Sequence, residues 1–165
     1  YSTAIFNGDV VGYGNVASST DDGYLVRETA ASEVNPIGVF MGCSYTDPNT
    51  SQLTFSQYYP GSITADDIRA VVAINPFTLY EVQADGAVAQ TSLGMTLDLV
   101  QTASGSTATG NSGLQADAST ASVGGELFKI VDFVNRSGSS VGDTYTDLVV
   151  MLSHAENALL VDPIT

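Results

Sequence analysis

Tryptophan is absent from this chain, and histidine and cysteine occur once each, as His154 and Cys43. A two-histidine metal site is therefore impossible, and a serine or cysteine triad would have a single candidate base. One cysteine cannot make an intrachain disulfide, which excludes a disulfide-stapled secreted scaffold. Basic residues are nearly as scarce: Arg27, Arg69, Lys129 and Arg136 face 18 acidic residues, for a formal net charge of −14. Four scattered cations cannot build the Lys/Arg patch that displaces counterions from phosphates, so nucleic acid is not an expected partner. The same field disfavours an anionic membrane, and no apolar run reaches the roughly 18 residues that a spanning helix needs.

What is present is a β pattern. Hydrophobic residues make up 44% of the 165 positions, enough for a real core, and short β-branched segments alternate with Gly, Asn, Asp and Ser clusters. Strands are expected over Ala4 to Val11, Gly23 to Glu28 after Asp21-Asp22-Gly23, and Ile37 to Cys43 after Pro36. Thr46-Asp47-Pro48-Asn49-Thr50 reads as the turn of a hairpin returning through Gln52 to Tyr58. Ile68 to Ile74, nearly continuous Val, Ala and Ile, reads as a strand buried on both faces. Phe77 to Gln83, Leu127 to Val134 and Asp147 to Leu152 complete the set. Residues 63–70 fit a short helix with Thr64 as N-cap, but a loop feeding the next strand is preferred. The expected fold is all-β: a single-domain antiparallel sandwich or barrel over residues 1–165. Residues 103–125 form its long Gly/Ser/Thr-rich surface loop and residues 155–165 its extended C-terminal tail.

Candidate chemistry is sparse. Ser153 and His154 are adjacent, and on a strand neighbours point to opposite faces, so they do not form a nucleophile–base pair there. Cys43 lies among apolar residues with no adjacent cation to lower its pKa, and reads as a small core residue. Asp21-Asp22, Asp47 with Asn49, and Asp66-Asp67 lack the Asp-x-Asp-x-Asp-Gly pattern of a calcium loop and read as turn residues. Gly12-Tyr13-Gly14 lacks the third glycine of a dinucleotide fingerprint, and Gly42-Cys43-Ser44 is not a nucleophile elbow. No catalytic residue, cofactor or metal is assigned. The eight tyrosines are more informative: Tyr45, Tyr58 and Tyr59 gather around the hairpin near Phe55, and Tyr suits protein interfaces. Leu159, Leu160 and Val161 in the tail have no evident strand partner and fit docking onto a neighbouring subunit. The candidate interface residues are thus Tyr45, Phe55, Tyr58, Tyr59, Leu159, Leu160 and Val161.

A series of short segments carries a family resemblance. They are Ile5-Phe6-Asn7-Gly8-Asp9-Val10-Val11, the run Ile37 to Asp47, Phe55-Ser56-Gln57-Tyr58-Tyr59-Pro60-Gly61, Asn75-Pro76 before Glu81-Val82-Gln83-Ala84-Asp85-Gly86, Thr109-Gly110-Asn111-Ser112-Gly113, and Gly142-Asp143-Thr144-Tyr145-Thr146. In this order they resemble the head decoration, or capsid cement, proteins of tailed phages, notably podovirus-like phages of aquatic bacteria. The resemblance covers the chain to about His154. The family's Asn-Asn-His-like ending is replaced here by Leu152-Ser153-His154 and a tail to Thr165. The resemblance implies a β-rich, non-enzymatic virion protein on the outer surface of the capsid. Its partners would be the major capsid protein and itself, as a homo-oligomer with a trimer favoured. Alternatives are another virion component, such as a tail or fibre base, an extracellular sugar-binding module, which the absence of Trp disfavours, and a hydrolase using His154.

Overall fold

The computed structural model describes residues 2–14, 24–29, 36–101 and 103–153. The chain is all-β, and the described residues form two five-stranded antiparallel sheets. It divides into two compact units, Tyr1–Glu28 with Ser32–Ile74 and Ala103–Gly113, and Thr29–Ala31 with Asn75–Thr102 and Leu114–Thr165, whereas the sequence reads as one β domain. Among the described residues no helix is long and apolar enough to cross a membrane.

The first unit contains β1 (Val10–Tyr13), β2 (Leu25–Arg27), β3 (Pro36–Thr46), β4 (Leu53–Ser56) and β5 (Arg69–Ala73). β3 is central: β1 and β4 pair with its two halves, β5 runs along it from Val39 to Ser44, and β2 adds outside β1. Its register against β5 shifts between Phe40 and Gly42, where Met41 is the extra residue of a bulge. That insertion breaks the period of two, so Phe40 and Cys43 both turn inward and Tyr45 follows. They close a core with Ile5, Val11 and Tyr59. Gly42 makes the bulge possible: its φ is 137°, and a Cβ there would lie 2.9 Å from the Ser56 carbonyl oxygen.

The stretch from Ala4 to Val11 is not one strand. Ile5 bridges Tyr59, then the chain turns at Phe6–Asp9 before β1 begins. The turn is closed by the Asp9 side chain, which is fully buried and accepts the Phe6 N–H at 2.8 Å. Residues 103–113 are fastened to this turn. The Asn7 N–H donates to the Gly110 carbonyl at 2.9 Å, the Ser112 N–H to the Asn7 carbonyl at 2.8 Å, and the Ser112 hydroxyl to Asp9. Gln57 donates to the Asn111 side chain at 2.7 Å. Gly105 lies directly against the Phe6 ring, where a Cβ has no room.

The second unit contains β6 (Tyr80–Gln83), a 3₁₀ turn (Gln90–Ser92), β7 (Thr96–Val100), β8 (Gln115–Ser122), β9 (Phe128–Phe133) and β10 (Asp147–Leu152), ordered β6-β10-β9-β7-β8. Its two edges come together. Ala84, following β6, bridges Ala116 of β8 in parallel, with the Asp85 N–H on the Ala116 carbonyl at 2.9 Å and the Ala118 N–H on the Asp85 carboxylate at 2.9 Å. The sheet therefore curls into a small barrel filled by Leu97, Leu99, Ile130, Leu148 and Val150, all buried. On its outside Arg136 reaches Glu81 at 2.5 Å and Asp147 at 3.1 Å; the guanidinium and Glu81 are about half exposed, so that pair adds little stability, whereas the Asp147 side chain is largely covered.

Two further expectations are corrected. The loop expected over 103–125 is in part a strand: 115–122 is β8, and 103–113 is pinned to the Phe6–Asp9 turn. The strand expected to be buried on both faces is β5, whose residues Arg69, Ala70 and Val71 are exposed. It pairs with β3 alone among the described residues, so its apolar run lines a sheet edge. Residues 63–68 form a loop with a turn at Asp66 and Asp67, and Arg69 and Ala70 already belong to β5. The proposed tail, 155–165, lies outside the described residues.

Replacing Gly42 or Gly105 by alanine tests both close approaches. Each is expected to lower stability by about 1–3 kcal/mol, through backbone strain at Gly42 and overpacking on Phe6 at Gly105. Thermal or urea unfolding followed by tyrosine fluorescence reads the loss.

Candidate functional site

The β3–β4 hairpin and β5 present two chemically different faces, and the register dictates which side chain goes where. Directly opposite residues of a ladder share a face, and residues two apart along a strand share it too. Cys43 and Tyr45 of β3 and Val72 of β5 therefore point together into the core. Turned the other way, Ser44 sits between Phe55 of β4 and Arg69 of β5, and Leu53 stands beside Thr46. Val71 lies on the same side two residues after Arg69, opposite Gly42. The apolar members of this outer face are open to solvent: Phe55 is 78% exposed, Leu53 and Val71 61% each, and Met41 of the bulge 49%. Such a cluster is more than the scattered apolar residues of an ordinary surface.

One end of the face is acidic. At the end of β3, Asp47 organises the hairpin turn by accepting the Asn49 N–H at 2.7 Å and the Thr50 N–H at 3.2 Å. Asp67 reaches back from the loop before β5 and takes both the Thr46 N–H at 3.0 Å and the Thr46 hydroxyl at 2.7 Å. These two bonds, backbone first, hold the Asp67 carboxyl below the ordinary aspartate range, with help from Arg69. Asp66 is its exposed neighbour. Asp47, Asp66 and Asp67 thus gather where the outer face meets the hairpin loop, and Arg69 is the cation within the face.

Of the residues singled out from sequence, Phe55 is on this outer face. Tyr45 and Tyr59 are 7% and 6% exposed and belong to the core of the first unit, so their rings are not available to a second polypeptide. The correction has a simple cause: Tyr45 is on the inward side of the bulged strand, and Tyr59 pairs with Ile5 through both backbone hydrogen bonds. Tyr58 is half-buried and stacks on Phe6, with ring centroids 5.3 Å apart and planes 10° from parallel. Leu159, Leu160, Val161 and His154 lie outside the described residues, as do Asp21 and Asp22. Leu53, Met41 and Val71 were not singled out by sequence. The available signal for Leu53 was its place two residues before Phe55 on a strand.

Cys43 is buried, which pushes its thiol pKa up, and the thiol hydrogen points to the Tyr58 carbonyl at 3.6 Å. It is a packed core residue with no activating cation. Among the described residues no group of three or more His, Cys, Asp or Glu is placed to hold a metal ion. What the outer face can do chemically is adhere: it offers apolar area with a defined charge pattern. Searches against family models, curated proteins and solved structures found no match to this chain.

Two outcomes are expected. Cys43 should resist a thiol reagent such as DTNB in the native protein and react completely after unfolding in guanidinium. For Asp67, whose folded pKa is lowered, the stabilisation from the Thr46 bonds is complete above the unfolded aspartate pKa and disappears as pH falls through the lower folded value. An NMR titration should place the Asp67 carboxyl midpoint below the ordinary aspartate value of 3.8, and Thr46→Val should move it upward.

Proposed function

We propose that this chain is a capsid decoration (cement) protein that binds the outer surface of an assembled phage head and stabilises it by bridging major capsid protein subunits. The observation that carries the reading is the solvent-open apolar face of the first unit, with Phe55, Leu53, Met41 and Val71 outward on a sheet whose other side is a closed core. Polypeptides expose such area where another polypeptide covers it. The ordered short segments that resemble the decoration family support the same role. A net charge of −14 suits a site on the outside of a shell, away from packaged DNA.

The mechanism is linkage, with no bond made or broken. A protein that binds assembled subunits but not free ones shifts the assembly equilibrium toward the shell. Homo-oligomerisation, with a trimer favoured, would let several weak attachments act together through their high effective concentration. Cementing of this kind needs neither a cofactor nor a catalytic residue.

Purified protein should co-sediment with expanded capsids at micromolar concentration and raise their resistance to heat or to osmotic release of DNA. Absence of co-sedimentation across that range overturns the reading.

A further inference from the structure

We propose that the outer face of β4, β3 and β5 is a docking surface for a partner that presents an apolar patch bordered by lysine or arginine. This rests on the adhesive role argued above and specifies which face adheres and the chemistry of its partner. Phe55, Leu53, Met41 and Val71 supply the apolar centre. Asp66 and Asp67 stand at one end of it, Asp67 fixed there by its two bonds to Thr46.

The charge pattern selects the occupant. A second copy seated on this face would bring the same acidic end, on a chain of net charge −14, against itself, and like-charge juxtaposition costs affinity and slows encounter. An anionic lipid surface meets the same repulsion. A protein with a basic border gains on both counts, through steering by the acidic end and desolvation of the apolar centre. Arg69, across Ser44 from Phe55, adds register, because it favours an acceptor opposite the middle of the face and cations opposite its end. Phe55 is the expected anchor: it is the largest and most exposed apolar side chain of the four.

Two probe peptides of equal length test this on the full chain, one alternating leucine with lysine and the other leucine with glutamate. Amide shifts in isotope-labelled protein should move at Leu53–Ser56 and Arg69–Ala73 with the lysine peptide and stay unmoved with the glutamate peptide. Phe55→Ser should weaken the lysine peptide roughly tenfold or more, the loss typical of an interface anchor. Asp66→Lys, which removes no hydrogen bond needed by the fold, should weaken it and lessen the gain in affinity that the parent shows as ionic strength falls. Shifts confined to other surfaces, equal binding of both peptides, or Phe55→Ser binding like the parent each overturn the proposal. Phe55-dependent dimerisation in sedimentation would also overturn it, by making a second copy the occupant. Expanded capsids separate the two readings. Binding by the parent and by Phe55→Ser alike refutes this face and keeps the decoration role, whereas no binding by the parent beside a positive peptide result refutes the decoration role and keeps the face.

Discussion

The first unit depends on one strand serving three partners. β3 carries ladder bonds to β1, β4 and β5, and a regular eleven-residue strand would place residues 40, 42 and 44 on one side. The bulge at Met41 changes that. Phe40, Cys43 and Tyr45 fall inward together, and Ser44 is sent outward between Phe55 and Arg69. Without the left-handed φ of Gly42 the core would lose Cys43 and Tyr45 to solvent and the outer face would be rebuilt from a different set of residues. Fold and candidate site therefore share a single backbone irregularity.

How much of this the sequence discloses depends on how strongly each strand obeys period two. β10 is legible to the residue, because Leu148, Val150 and Leu152 alternate with half-exposed neighbours. The β3–β4 hairpin is legible from Asp47-Pro48-Asn49, whose side-chain caps are local chemistry. β8 is hidden, since Gln115 to Ser122 contains no residue larger than glutamine and no apolar residue beyond alanine. The reason is geometric: Ala116 faces Ala84 across the closing seam of the barrel, and Ala118 lies against Gly86. Large side chains there would hold the edges apart, so the seam is written in small residues that read as loop. Thr96 to Val100 does follow period two, with Leu97 and Leu99 buried on either side of Asp98, but so short an alternation is a weak signal in sequence.

The site was legible in part. Phe55 stood out because an aromatic beside a turn, alternating with polar residues, has few places to go but a sheet face. Tyr45 and Tyr59 misled because residue type states what a side chain is good for and says nothing about which side of a bulged strand it occupies. Val71 misled in the opposite direction. A continuous apolar run fits a strand that is apolar on both faces, whether its second face is covered by the same chain or left for another. Only pairing decides between these, and β5 has one ladder partner among the described residues.

An open apolar face on a sheet with an edge strand is an aggregation hazard, and this chain carries counterweights around it. Arg69 sits within the face at the start of β5, and desolvating that guanidinium against a flat neighbour without an acceptor is unfavourable. The acidic end adds repulsion toward any surface of the same sign, which includes every other copy. Those features that keep Phe55 and Leu53 from pairing indiscriminately are the ones that define an acceptable partner. A surface that accommodates them must offer apolar area, an acceptor for Arg69 and cations at the Asp66–Asp67 end simultaneously. Each requirement is weak alone, and their conjunction turns a sticky sheet into a selective one.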